Sequence, residues 1–219
     1  CIRDRVFGVT TSLGLGTIQI SAGLSHVFSI TETFSNQVII IAVITLIGLV
    51  SVCLGLDSGI KRLSQVNMIL ATTLMGFIFI FGPTVFILNA LIQNFGSYVN
   101  TLIESATWTE VYESTSWQNG WTLFFYTWWF AWAPFVSLFI ARISYGRSIK
   151  EFVIGVLFVP SFIVFLWMGI FGNAAIYQVI NETSQLNDIV NNNYSVALFA
   201  LFDVYPIAKI ASVFSLVLI

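Results

Sequence analysis

Trp121-Thr122-Leu123-Phe124-Phe125-Tyr126-Thr127-Trp128-Trp129-Phe130-Ala131-Trp132-Ala133-Pro134-Phe135 opens a stretch that continues to Ala141 without one Asp, Glu, Lys or Arg. At about 1.5 Å per helical residue it is long enough to cross a hydrocarbon layer roughly 30 Å thick. Three further stretches are equally free of charge, Phe34 to Leu56, Leu63 to Ile103 and Phe152 to Asn181, and a fifth, Val6 to Ile30, has His26 as its one titratable residue. Across the 219 residues 58% are hydrophobic and 8% charged, where a water-soluble domain carries roughly 25% charge to keep its surface hydrated. The composition predicts an all-α integral membrane protein, a multi-span helical bundle. Its spans fall near 6–30, 34–56, 66–92, 121–142, 152–173 and 206–219, with surface helices within 94–118 and 195–204.

Charge sign orders these spans. Arg3, Arg5, Lys61, Arg62, Arg142, Arg147 and Lys150 lie on alternate connections, while 29–36, 93–120 and 173–194 hold acidic residues and no Lys or Arg. The positive-inside rule then places the first residues in the cytoplasm, and seven of the eight basic residues obey it, Lys209 excepted. Asp203, Pro206 and Lys209 interrupt the last apolar segment, so it reads as a short outer helix followed by a span starting at Pro206. A start at Cys1 in place of Met and an apolar finish from Ser212 to Ile219 read as a piece cut from a longer chain. A net charge of −2 argues against a nucleic-acid partner. Cys1 and Cys53 offer neither a disulfide framework nor a metal site, and Cys53 reads as a small core residue. Asp57 to Gln65 reads as a short inner segment, either an interfacial turn of helix or a plain loop. The sequon Asn181-Glu182-Thr183 receives no role, because such triplets are common by chance.

The chemistry concentrates in the span from Trp121. Seven aromatic residues fall between Phe124 and Trp132. An aromatic belt at the headgroups suits Trp108, Trp117 and Trp121, but Trp128, Trp129 and Trp132 sit near mid-span. There an indole N–H facing hydrocarbon would go unpaired, at a cost of a few kcal/mol. Spacings of three and four residues join the three into one aromatic surface. Ring faces attract cations, and a quaternary ammonium, which has no proton to donate, is the natural ligand of such a surface. Pro134 removes an amide donor beside it, which predicts a kinked or opened helix. The five charge-free stretches offer no Asp, Glu, Lys or Arg to serve as a proton relay, and the spans hold no nucleophile–base pair or metal-ligand set, so the chain is not expected to be an enzyme. In the first span, Thr10, Thr11 and Ser12 offer hydroxyls that can pack across helices or ligate a sodium ion.

Three motifs carry a family resemblance: Thr11-Ser12-Leu13-Gly14-Leu15-Gly16; Gly59-Ile60-Lys61-Arg62-Leu63-Ser64 with Asn67-Met68; and Trp128-Trp129-Phe130-Ala131-Trp132-Ala133-Pro134-Phe135 running through Phe139-Ile140-Ala141-Arg142-Ile143-Ser144-Tyr145-Gly146-Arg147-Ser148-Ile149-Lys150-Glu151-Phe152. The sequence resembles the betaine/choline/carnitine transporter family over essentially its whole length. The resemblance implies part of a LeuT-type inverted-repeat fold, from the family's fifth span to the start of its tenth. It further implies import of glycine betaine, choline or carnitine across the cell membrane, usually with sodium and with no cofactor, and often as a homotrimer. Carried over by position, Trp129 is the aromatic-box residue of this span, Trp128 and Trp132 line the pathway, and Phe135 joins the substrate-binding set. The chain departs from the family at Tyr126-Thr127 and Ser137. It also has Arg5 and Val9 where some sodium-coupled relatives place threonines that share a second sodium with the aromatic at Phe135. Asn67 and Met68 stand where sodium-independent relatives place an arginine, which favours sodium coupling. The competing expectations are an amino-acid or other organic-solute transporter of the same fold, and a channel or osmosensing scaffold whose tryptophans only pack.

Overall fold

A computed structural model describes residues 2–55, 59–113 and 115–219, with side chains from residue 8 onward. The end of the second predicted span at Leu56 and the start of the inner segment at Asp57 therefore lie outside the described residues. All regular structure among the described residues is helical: α1 (Ile2–Phe28), α2 (Phe34–Cys53), α3 (Lys61–Phe81), α4 (Thr84–Thr107), α5 (Phe124–Ile143), α6 (Ile149–Ile180), α7 (Leu186–Asn192), α8 (Ala197–Phe202) and α9 (Ala208–Leu218). Four of the described helical stretches, Phe34–Cys53, Lys61–Phe81, Gln118–Ile143 and Ile149–Ile180, are long and apolar enough to cross a membrane.

Local chemistry sets the helix ends. Thr33 caps α2, its hydroxyl accepting from the Asn36 N–H at 3.3 Å. A reciprocal pair starts α6: the Ser148 N–H donates to the Glu151 carboxylate at 3.0 Å and the Glu151 N–H donates to the Ser148 hydroxyl at 3.3 Å. Between α5 and α6 the chain reverses through Gly146, whose φ of +84° is free of Cβ strain. The charge-free run from Leu63 does not hold one span across 66–92. Helix α3 stops at Phe81, because Pro83 cannot donate to a helix that continues through it, and α4 restarts at Thr84. The Thr84 hydroxyl donates to the Phe79 carbonyl at 2.6 Å, giving that end of α3 a partner. Helix α4 then runs unbroken to Thr107 and takes in much of the segment expected to be a separate surface helix.

The chain forms two compact units, Cys1–Ser12 with Ile92–Phe165, and Leu13–Leu91 with Leu166–Ile219. The second unit holds the core, in which Leu74 and Ile78 of α3, Ile87 of α4, Ile170, Phe171 and Ala174 of α6, Leu186, and Ala200, Leu201 and Phe202 of α8 meet Ala211 of α9. Gln178 is buried in this core with both ends of its amide engaged: Nε2 donates to the Leu201 carbonyl at 3.0 Å and Oε1 accepts from the Ser184 hydroxyl at 3.1 Å. His26 Nε2 lies 2.9 Å from Asp203 Oδ2 and ties the end of α1 to the turn after α8. Ile207 enters α9 with φ +57°, a conformation that costs a β-branched residue roughly 1 kcal/mol or more. Cys53 is exposed, not part of the core, because α2 buries Ser51 alone of its residues.

Gly23 sets how closely α1 approaches α8 and α9. A methyl there would stand 2.3 Å from Phe199 Cζ and 2.7 Å from Leu216 Cδ2, and Phe199 is fully buried and has nowhere to go. Gly23→Ala is expected to destabilise the protein by about 1–3 kcal/mol through overpacking. Thermal unfolding in detergent checks this, with Gly14→Ala as the control, since that position has open space around it.

Candidate functional site

Helix α5 is introduced by a clasp in the preceding connection. The Glu110 carboxylate accepts from the Thr115 hydroxyl, from the Thr115 N–H at 2.8 Å, the Gln118 N–H at 2.9 Å and the Trp117 N–H at 3.2 Å. Gln118 Nε2 donates back to the Trp108 carbonyl at 2.8 Å, and the rings of Trp108 and Trp117 meet edge to face at 5.4 Å. A carboxylate on the first free N–H groups of a helix both satisfies them and opposes the positive end of the helix dipole. The helix so capped starts with a π-helical turn, Gln118–Leu123, before becoming α-helical. These donors, the Thr115 hydroxyl first and the Gln118 N–H next, hold the Glu110 carboxyl below its ordinary value of 4.5. Its folded-state value is lowered, so the clasp contributes fully above the ordinary value and is lost as pH falls through the lowered one. Glu110→Gln at neutral pH is expected to speed amide hydrogen exchange at Thr115, Trp117 and Gln118, whereas the unmodified protein should lose that protection only in acid.

Along α5, Phe125, Trp128, Trp129, Trp132, Ala133 and Val136 recur at helical spacing and line an open hollow of about 580 Å³. Within it Phe125 lies nearly parallel to Trp128 at 6.1 Å and 14°, and it also lies nearly parallel to Trp121 at 6.1 Å and 15°. On the adjoining side of the same helix, Phe124, Thr127, Trp128 and Trp132 join Gly8 and Thr11 of α1 around a second hollow of about 480 Å³. Trp128 and Trp132 wall both. Among the described residues no ionisable side chain lines either hollow, so any charge in a ligand meets ring faces, hydroxyls and backbone.

The three tryptophans expected from the sequence are thus brought to one hollow. Trp129 is 75% exposed, and no residue of α5 is buried, so this chain supplies one wall and leaves the rings open on the other side. Phe135 packs edge-on against Trp132 at 5.7 Å and 85°. Pro134 does not open the helix. The α-helix continues through it to Ile143, and the Ser137 hydroxyl donates to the Pro134 carbonyl at 3.1 Å. Of Thr10, Thr11 and Ser12, Thr11 lines the second hollow, successive helical residues pointing about 100° apart. Among the described residues no cluster of three or more His, Cys, Asp or Glu exists. Phe125 is readable from its spacing of three, four and seven residues to Trp128, Trp129 and Trp132; Gly8 has no local signal, since its place depends on how α1 meets α5.

The whole chain, residues 1–219, matches the family model described as BCCT, betaine/carnitine/choline family transporter. It is 40% identical over 215 residues to a glycine betaine transporter of Acinetobacter baylyi, covering 98% of this chain and 33% of that protein. A glycine betaine/proline/choline transporter of Vibrio parahaemolyticus is 44% identical, covering 98% of this chain and 38% of that protein. The high-affinity choline transport protein of Escherichia coli is 38% identical over 206 residues, covering 94% of this chain and 30% of that protein. The chain therefore spans about a third of the length of these relatives. Its match to the family model from end to end makes it a member of the betaine/carnitine/choline transporter family.

Proposed function

We propose that the protein is a secondary active transporter that imports a quaternary-ammonium solute, glycine betaine, choline or carnitine, across the cell membrane with sodium, its first residues on the cytoplasmic side. The observation that carries this reading is the hollow walled by Trp128, Trp129 and Trp132, with no ionisable side chain in its lining among the described residues. A permanently charged ammonium needs neither a counter-ion nor a hydrogen-bond acceptor if it can rest on ring faces, each worth about 0.5–2 kcal/mol. Three such rings supply at most about 6 kcal/mol, whereas micromolar binding needs about 8 kcal/mol beyond the cost of immobilising the ligand. The open side of Trp129 is where further contacts enter, and the longer relatives have ample chain to provide them. Sodium coupling rests on the family resemblance, with the Thr11 hydroxyl as the candidate at the second hollow.

Uptake of labelled glycine betaine into vesicles containing the protein tests the proposal. Uptake that exceeds empty vesicles and falls when an inward sodium gradient is replaced by potassium supports it. No uptake of glycine betaine, choline or carnitine under either gradient defeats it.

A further inference from the structure

The turn between α8 and α9 is held differently at its two ends. At its start, His26 Nε2, from the end of α1, lies 2.9 Å from Asp203 Oδ2; a carboxylate only accepts, so the ring nitrogen donates. At its finish Ile207 stands at φ +57°, a conformation that strains a β-branched residue and persists only where the surroundings impose it. Between them the Tyr205 N–H donates to the Phe202 carbonyl at 2.8 Å, and the Tyr205 ring meets Phe77 edge-on at 6.1 Å. Helix α8 itself is anchored, because Phe199 is fully buried against Gly23. Residues 203–207 therefore form a strained hinge on a fixed support, with one tie across it. That tie is open to water, its two side chains being 25% and 50% exposed. Besides Asp203, the imidazole faces the uncharged ring of Phe199 at 6.4 Å. Among the described residues the next charges along the chain, Glu32 after α1 and Lys209 in α9, form no ion pair with either partner.

We infer that His26 and Asp203 form a proton-responsive latch on this hinge, held more firmly at mildly acidic than at alkaline pH. Histidine is the side chain whose ordinary titration falls between about pH 5 and 8. With its second proton the imidazole adds Coulomb attraction to the hydrogen bond. When that proton leaves, the hydrogen bond alone opposes the strain at Ile207, and the turn opens more often. On the topology proposed above, in which α1 runs outward, the latch lies on the outer side and responds to the pH of the medium. Its location rests on that reading; its existence rests on the pair and the hinge.

Amide hydrogen exchange of the detergent-solubilised protein, corrected for the intrinsic effect of pH on exchange, reads the hinge on peptides covering 203–211. The Tyr205 and Ile210 N–H groups there donate to the Phe202 and Ile207 carbonyls. Raising the pH from about 5.5 to about 8 is expected to increase opening about two- to five-fold, the size of effect a partly exposed ion pair supplies. His26→Gln keeps a neutral donor, and is expected to open at both pH values as often as the unmodified protein does at the higher one. Ile207→Asn, whose side chain tolerates a positive φ, is expected to open less often than the unmodified protein at the higher pH. Opening of the unmodified protein that does not change with pH, a pH response that survives in His26→Gln, or no slowing in Ile207→Asn overturns the latch. Should His26→Gln fail to fold, Asp203→Asn, which keeps a hydrogen bond without the charge, decides by the same loss of pH response. Exchange requires no solute movement, so a latch seen in a protein that takes up no solute counts against the transport reading alone.

Discussion

Trp129→Leu is expected to raise the KM for glycine betaine about 10- to 30-fold while leaving the amount of folded protein in the membrane unchanged. The reasoning is local. Trp129 is 75% exposed and contributes nothing to a core, so its removal creates no cavity. What it removes is one ring face from the hollow it shares with Phe125, Trp128 and Trp132. A desolvated cation–π contact is worth about 2 kcal/mol, and leucine offers the ammonium no quadrupole. Trp129→Phe is expected to recover much of the loss, since phenylalanine restores a ring of smaller polarity. An unchanged KM in the leucine variant would show that the exposed indole serves some other surface.

The second large effect concerns stability. Phe202→Ala is expected to cost about 2–4 kcal/mol, read as a lowered unfolding temperature in detergent, because Phe202 is fully buried and meets Phe171 edge-on at 6.4 Å and 80°. In a membrane the lost transfer energy shrinks, because lipid solvates the ring almost as well as protein does; the cavity and the lost contacts remain. Phe214→Ala, at a partly exposed position of α9, is expected to cost less than about 1 kcal/mol. Equal costs at the two positions would mean that the core around α8 does not hold this unit together.

Much of the fold is readable from charge alone, since a stretch such as Phe152 to Asn181 has no alternative solvent as good as lipid. Where charge misleads, a backbone rule has the deciding vote. Leu63 to Ile103 is charge-free throughout, but Gly82-Pro83 ends α3, and α4 begins at once. The acidic residue Glu104 does not stop α4, because Glu is a good helix former and α4 continues to Thr107 without a breaker. Pro134 misleads in the other direction: its missing donor suggests a break, yet the helix on both sides is long enough to carry one lost bond. At the site, the periodic spacing of Trp128, Trp129 and Trp132 is enough to predict a shared face. The approach of Gly8 and the π-helical turn held by Glu110 are not legible, since both depend on contacts between residues distant in sequence or on one carboxylate reaching back to a helix end.

Recognition by ring faces that select positive charge is a property that one pair of molecules isolates. Glycine betaine and tert-butylacetate have the same shape and carboxylate, but only the first carries a quaternary nitrogen. In competition against labelled glycine betaine in vesicles, unlabelled glycine betaine is expected to compete at least about ten-fold more strongly than tert-butylacetate, a difference of the size that desolvated cation–π contacts provide. Equal competition by the two would contradict the proposed mechanism, because the hollow around Trp128, Trp129 and Trp132 would then recognise shape and greasiness and not a cation.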